Sequence, residues 1–167
     1  MSKTLFEETL QFRQPQLWVP YLILSAAVLG AQAYFPARSP GDTTFAGLLV
    51  PAISMFVLGG IGVLLYLSRL DVKVTPSGLH TRLYPLEMAF RDIEWKDIIQ
   101  MRVTTVRPMK DFGGWGLRFG KNSKAYIVTG DICIELKLAD GSLLYINTLE
   151  PEKLLSALTH GKEAASP

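Results

Sequence analysis

The sequence predicts a membrane protein in which a two-helix transmembrane hairpin precedes an all-β sandwich or roll of about seven strands, closed by a short C-terminal helix. Three observations lead there. Residues 17–35 and 45–67 form runs of 19 and 23 residues without a charge. Beyond residue 68 the apolar residues recur with a period of two, as in strands. No interior stretch alternates strands with long helices, which excludes a parallel α/β fold. Composition agrees: 49% of the 167 residues are hydrophobic and 19% charged, too apolar for a disordered chain. A net charge of +2 excludes wholesale nucleic-acid binding, and a single cysteine excludes a disulfide framework or a Cys-rich zinc site.

Residues 1–16 read as a juxtamembrane segment in which Lys3 and Arg13 offset Glu7 and Glu8. As helices, 17–35 and 45–67 reach about 28 and 34 Å, enough for a hydrocarbon core of ~30 Å. Neither carries a polar stripe, and Trp18, Tyr21, Tyr34 and Tyr66 stand near the ends, where aromatic rings favour headgroups. The nine-residue link 36–44 is turn chemistry and requires an antiparallel hairpin. Small residues (Ser25, Ala26, Ala27, Gly30 and Ala31; Gly47, Ala52, Ser54, Gly59, Gly60 and Gly62) either pack the hairpin or form a self-association face. Ala31-Gln-Ala33 has the form of a signal-cleavage site, but the run is too long and its preceding charges cancel. Lys3, Arg13, Arg69 and Lys73 flank the hairpin and only Arg38 lies in the link, which puts both termini in the cytoplasm of a multi-pass inner-membrane protein.

Residues 68–160 read as the β domain. Leu70, Val72 and Val74 alternate with Asp71 and Lys73, and Leu79, Thr81 and Leu83 with His80 and Arg82. A turn at 75–78 puts Val74 opposite Leu79 and Val72 opposite Thr81, since a one-residue slip would turn the apolar face outward. In 132–146 a three-residue loop with Gly141 left-handed pairs Leu136 with Leu144 and Ile134 with Ile146. Further strands are expected at 88–92, 98–105 and 124–129. Pro151 opens a helix with Leu154, Leu155 and Leu158 on one face. It is expected to end near His160, where a cation suits the helix C-terminus, with a disordered tail over 161–167.

VTPSGL at 74–79, IEWKDI at 93–98, the Asp-Gly hairpin and the closing helix resemble bacterial pleckstrin-homology-like domains. FEETLQFRQ at 6–14 and GGWGLR at 113–118 resemble an uncharacterised bacterial group with a two-helix membrane hairpin before such a domain. The resemblance spans nearly the whole chain and implies a fold, with no activity to carry over. Lipid-binding members of the wider superfamily carry basic residues around the first hairpin. Here Lys73, His80 and Arg82 stand in those places, a departure at the histidine that weakens the implication of phosphoinositide binding.

No chemistry-bearing motif emerges. His80 and His160 lack metal spacing, and Cys133 reads as an inert strand residue. There is no nucleophile elbow, P-loop or dinucleotide loop. Neither cofactor, metal nor small-molecule substrate is expected, and the chain reads as a non-enzyme. Residues 102–124 carry six basic residues against Asp111, interleaved with aromatics. Arg107, Lys110, Phe112, Trp115 and Arg118 are the candidate membrane- or partner-facing surface; a glycine-rich connection with Trp115 tucked inward is the alternative. If strands alternate away from and toward the bilayer, 98–105 ends facing it and 107–115 lies near the headgroups. The expected function is a membrane-anchored cytoplasmic interaction module whose partner is a membrane protein, another copy or anionic lipid. A subunit of a transport or channel assembly is the alternative.

Overall fold

The computed structural model describes residues 4–38 and 45–165. The chain divides into a unit of residues 13–67 and a unit assembled from both of its flanks, up to Phe12 and from Ser68 onward.

The first unit is a pair of apolar helices, α1 (Pro15–Arg38) and α2 (Phe45–Leu67). Pro15 opens α1 where a missing N–H costs nothing. Residues 39–44 of the expected link, and the side chains of 35–38 and 45–48 with Gly47 among them, lie outside the described residues. The partly covered positions Tyr21, Ser25, Val28 and Gln32 on α1, and Pro51, Ser54, Leu58, Gly62 and Leu65 on α2, recur every three or four residues and form the seam. The Tyr21 hydroxyl donates to the Leu58 carbonyl at 2.7 Å, and the Gln32 amide to Ser54 Oγ at 2.6 Å. Gly62 is needed there, because a Cβ would stand 2.6 Å from the Tyr21 hydroxyl. Of the described small residues only Ser25, Ser54 and Gly62 belong to the seam. Ala26, Ala27, Gly30, Ala31, Ala52, Gly59 and Gly60 face outward, alongside Ile53, Met55 and Phe56.

The second unit holds nine strands among the described residues, against about seven expected: β1 (Phe6–Gln11), β2 (Arg69–Thr75), β3 (Gly78–Tyr84), β4 (Arg91–Glu94), β5 (Ile98–Thr105), β6 (Gly116–Gly120), β7 (Ser123–Ile127), β8 (Ile132–Leu138) and β9 (Leu143–Asn147). They form a four-stranded sheet ordered β1-β2-β3-β4 and a five-stranded sheet ordered β5-β8-β9-β7-β6. All described pairs are antiparallel except β7 with β9. Both expected hairpin registers occur: Val74 faces Leu79, Val72 faces Thr81, Leu136 faces Leu144 and Ile134 faces Ile146. At the second turn Gly141 has φ +79°, its N–H reaches the Leu138 carbonyl at 2.9 Å, and Leu138 N–H reaches Ser142. That is the three-residue loop with a glycine bulge.

The sequence reading needs three corrections. Residues 6–11, read as a juxtamembrane segment, are strand β1, paired with β2 from Phe6 opposite Val74 to Gln11 opposite Arg69. Leu10 and Phe12 are buried, and Glu8 accepts hydrogen bonds from Thr148 Oγ1 at 2.6 Å and Leu149 N–H at 2.9 Å. The strand expected at 88–92 is instead β4 at 91–94, where Ile93 faces Leu79. The closing helix α4 (Pro151–Ala165) runs past the expected end, so 161–165 are helical rather than disordered; 166–167 lie outside the described residues.

Gly161 is a contact glycine inside α4. The Trp95 ring lies so close that a Cβ would stand 2.4 Å from it. Lys162 then donates to the carbonyls of Ile98 and Ile99. His160 is therefore inside the helix, with Nδ1 3.0 Å from the Ser156 carbonyl, and does not cap its end. Leu154, Leu158 and Gly161 form the buried stripe of α4, which packs on strands of both sheets. The core combines Leu70, Val72, Val74, Leu79 and Leu83 of the first sheet with Tyr126, Ile134, Leu136, Leu144 and Ile146 of the second.

Candidate functional site

The β unit presents three surfaces on which recognition chemistry could reside. The first is the outer face of the four-stranded sheet. The period of two that sends Leu70, Val72 and Val74 inward sends Arg69, Asp71 and Lys73 outward, beside His80 and Arg82 of β3. Lys73, His80 and Arg82 therefore share one face, but each meets a carboxylate. Lys73 pairs with Glu7 at 2.8 Å, and Arg82 pairs with Asp71 at 2.6 Å. His80 Nδ1 contacts Asp92, while its Nε2 lies 2.9 Å from Thr75 Oγ1. Thr9 also donates to Asp71, at 3.0 Å, and Phe90 lies under the Arg82 guanidinium at 4.4 Å. Cross-strand pairing of opposite charges stabilises the sheet and leaves less positive potential for an anion.

The second surface is the basic and aromatic stretch 102–124. Its middle folds back over the outer face of the five-stranded sheet. The short helix α3 (Pro108–Asp111) is capped by Asp111, whose carboxylate accepts the Arg107 N–H at 2.7 Å. Phe112 and Trp115 pack against buried Val106, Ala125, Ile127 and Cys133 together with Tyr145, and the Phe112 and Tyr145 rings meet edge-on at 5.2 Å. This second small core explains why both faces of β8 are buried between Cys133 and Leu136. Burial pushes the Cys133 thiol up to about 12, so it stays protonated and inert near neutral pH. The five candidate residues therefore do not share one open surface. Arg107 and Lys110 are exposed, Phe112 and Trp115 are taken up by packing, and Arg118 lays its guanidinium along Gly114 with its Nε buried and without a hydrogen bond. Arg102 pairs with Glu135 at 2.8 Å. The alternation took β5 as a neighbour of β4 in the first sheet, whereas β5 pairs with β8 in the second.

The third surface was not legible as a site. The 85–90 segment after β3 forms a loop in which Leu86 and Met88 are 70% and 76% exposed. Glu87 between them turns inward, to Lys124 Nζ at 2.7 Å, Tyr126 Oη at 3.1 Å and the Leu83 N–H. Burial alone would raise the Glu87 carboxyl, but the hydrogen bonds from Lys124 and Tyr126, with the Lys124 charge, outweigh it and hold the group below its ordinary value. Lys124 also lies 5.5 Å from the ring of Phe119, which is 73% exposed. The available signal was Leu86-x-Met88, of which only Met88 fell within the strand expected at 88–92.

Elsewhere, Asp92, Asp97 and Asp140 line an open depression with Arg91, but the Asp140 carboxylate is occupied by the Ser142 N–H at 2.8 Å. Among the described residues no group of His, Cys, Asp and Glu is placed to hold a metal ion. No protein family, curated protein or solved structure matches the chain.

Proposed function

We propose that this chain is a membrane-anchored, non-catalytic interaction module. Its helices cross the inner membrane as a hairpin, both termini are cytoplasmic, and a pleckstrin-homology-like β unit engages a partner at the membrane surface. The observation that carries the reading is the pair of apolar helices with 18-residue windows wholly unburied, so that only lipid or another apolar partner would cover them. The fold reading draws support from two sheets sharing a core with a helix that follows the last strand. Tethering at a membrane raises the effective concentration of membrane-proximal partners, so weak contacts suffice. The transport alternative is less well supported. Tyr21, Ser25, Gln32 and Ser54 spend their hydrogen bonds inside the hairpin, and neither membrane segment carries a charge.

Alkaline extraction of native membranes followed by photo-crosslinking tests the proposal. The protein is expected to stay in the membrane pellet. A photo-reactive residue at Arg107 or Lys110 is expected to give a discrete adduct with a protein or lipid. Release by alkali would overturn the anchoring, and ion flux through the purified protein in vesicles, without any adduct, would favour transport.

A further inference from the structure

We infer that the loop 85–90 is a second point of membrane contact, with Leu86 and Met88 seated in the headgroup region of the bilayer that holds the helices. The inference rests on the anchoring proposed above. Chain connectivity carries it. Gln11 pairs with Arg69, and Arg69 with Tyr84, so one row at one end of the four-stranded sheet holds the last residue of β1, the first of β2 and the last of β3. Three residues separate Gln11 from α1, and Ser68 alone separates α2 from Arg69. Both apolar helices therefore join the β unit at this row. The same row launches the 85–90 loop.

The chemistry of the loop suits a headgroup layer. Leu86 and Met88 project outward, and the intervening carboxylate of Glu87 is withdrawn to Lys124. Tyr84 and the half-exposed Arg69 flank the loop, the guanidinium 5.4 Å from the ring, a pairing that matches the aromatic and cationic preference of the interface. The opposite end of the sheet, at the 75–78 turn, exposes Pro76 and Ser77 instead.

Spin labels on the full chain in mixed phosphatidylethanolamine–phosphatidylglycerol vesicles test this. Labels enter through Met88→Cys, Ser77→Cys or Phe56→Cys; buried Cys133 stays unlabelled. Collision with oxygen, which concentrates in lipid, is compared with collision with a water-soluble nickel chelate. The logarithm of the oxygen-to-nickel ratio is expected to be positive at 56 and 88 and negative at 77. A value at 88 matching that at 77, with 56 still positive, overturns the loop contact and leaves the anchoring intact. Poor access of both reagents at 88 marks a protein cover and also overturns it. A negative value at 56 removes the anchoring and the loop contact with it.

Discussion

Replacing Leu10 by alanine asks whether a strand that precedes both helices is a working part of the β unit. Leu10 is 3% exposed and pairs with fully buried Leu70. Truncating such a leucine costs about 2–5 kcal/mol. Because β1 is an edge strand that can settle toward the vacated volume, the lower part of that range, about 2–3 kcal/mol, is expected. Against a domain stability of about 5–15 kcal/mol this is a large loss. With a urea dependence of about 1–3 kcal/mol per molar, the midpoint falls by roughly 0.7–3 M. The assay is urea unfolding of the full chain in detergent, followed by Trp95 and Trp115 fluorescence in a Trp18→Phe background. Gln11→Ala, exposed on the same strand, sets the reference and should cost no more than about 0.5 kcal/mol. If Leu10→Ala moves the midpoint no further than Gln11→Ala, β1 contributes nothing and the unit does not depend on both flanks.

Thr81 carries a fully buried hydroxyl without a hydrogen bond, so Thr81→Val should raise stability by about 1 kcal/mol in the same titration; a loss would mean the hydroxyl has a partner. Gly161→Ala should destabilise by about 1–2 kcal/mol, because the clash with Trp95 exceeds the gain in helix propensity, whereas an unchanged midpoint would place α4 farther from that ring. The folded-state pKa of Glu87 lies below its ordinary 4.5, so its stabilisation is complete above that value and lost as pH falls through the folded value. Glu87→Gln should therefore be less stable than the parent at pH 7, and the difference should shrink in acid; a difference independent of pH would discard the ion pair with Lys124.

Period and turn chemistry made the local structure legible. Both hairpin registers follow from keeping apolar residues on one face, and the Gly141 bulge from the only loop that satisfies it. The apolar helices follow from length and charge alone. What escaped depended on contacts distant in sequence. Phe6, Leu10 and Phe12 alternate as a strand should, but the partner β2 lies beyond two helices and Glu8 interrupts the apolar face; its bonds to Thr148 and Leu149 appear only in the fold. Glycines at both ends of β6 concealed a strand. The closing helix was expected to end near His160 because the contact of Gly161 with Trp95, distant in sequence, could not be foreseen. In the candidate stretch 102–124, composition could not separate aromatic rings that face a partner from rings that cover a sheet, and Phe112 and Trp115 cover the sheet.

The central claim is that two membrane crossings hold a β unit on the side of both termini. A membrane-impermeant maleimide applied to sealed cells tests it most directly, with cysteine introduced by Ser39→Cys in the link or Ser77→Cys in the β unit. The account predicts that position 39 reacts from outside and position 77 only after the membrane is opened. Equal reactivity at both positions, or reaction of position 77 in sealed cells, would contradict it.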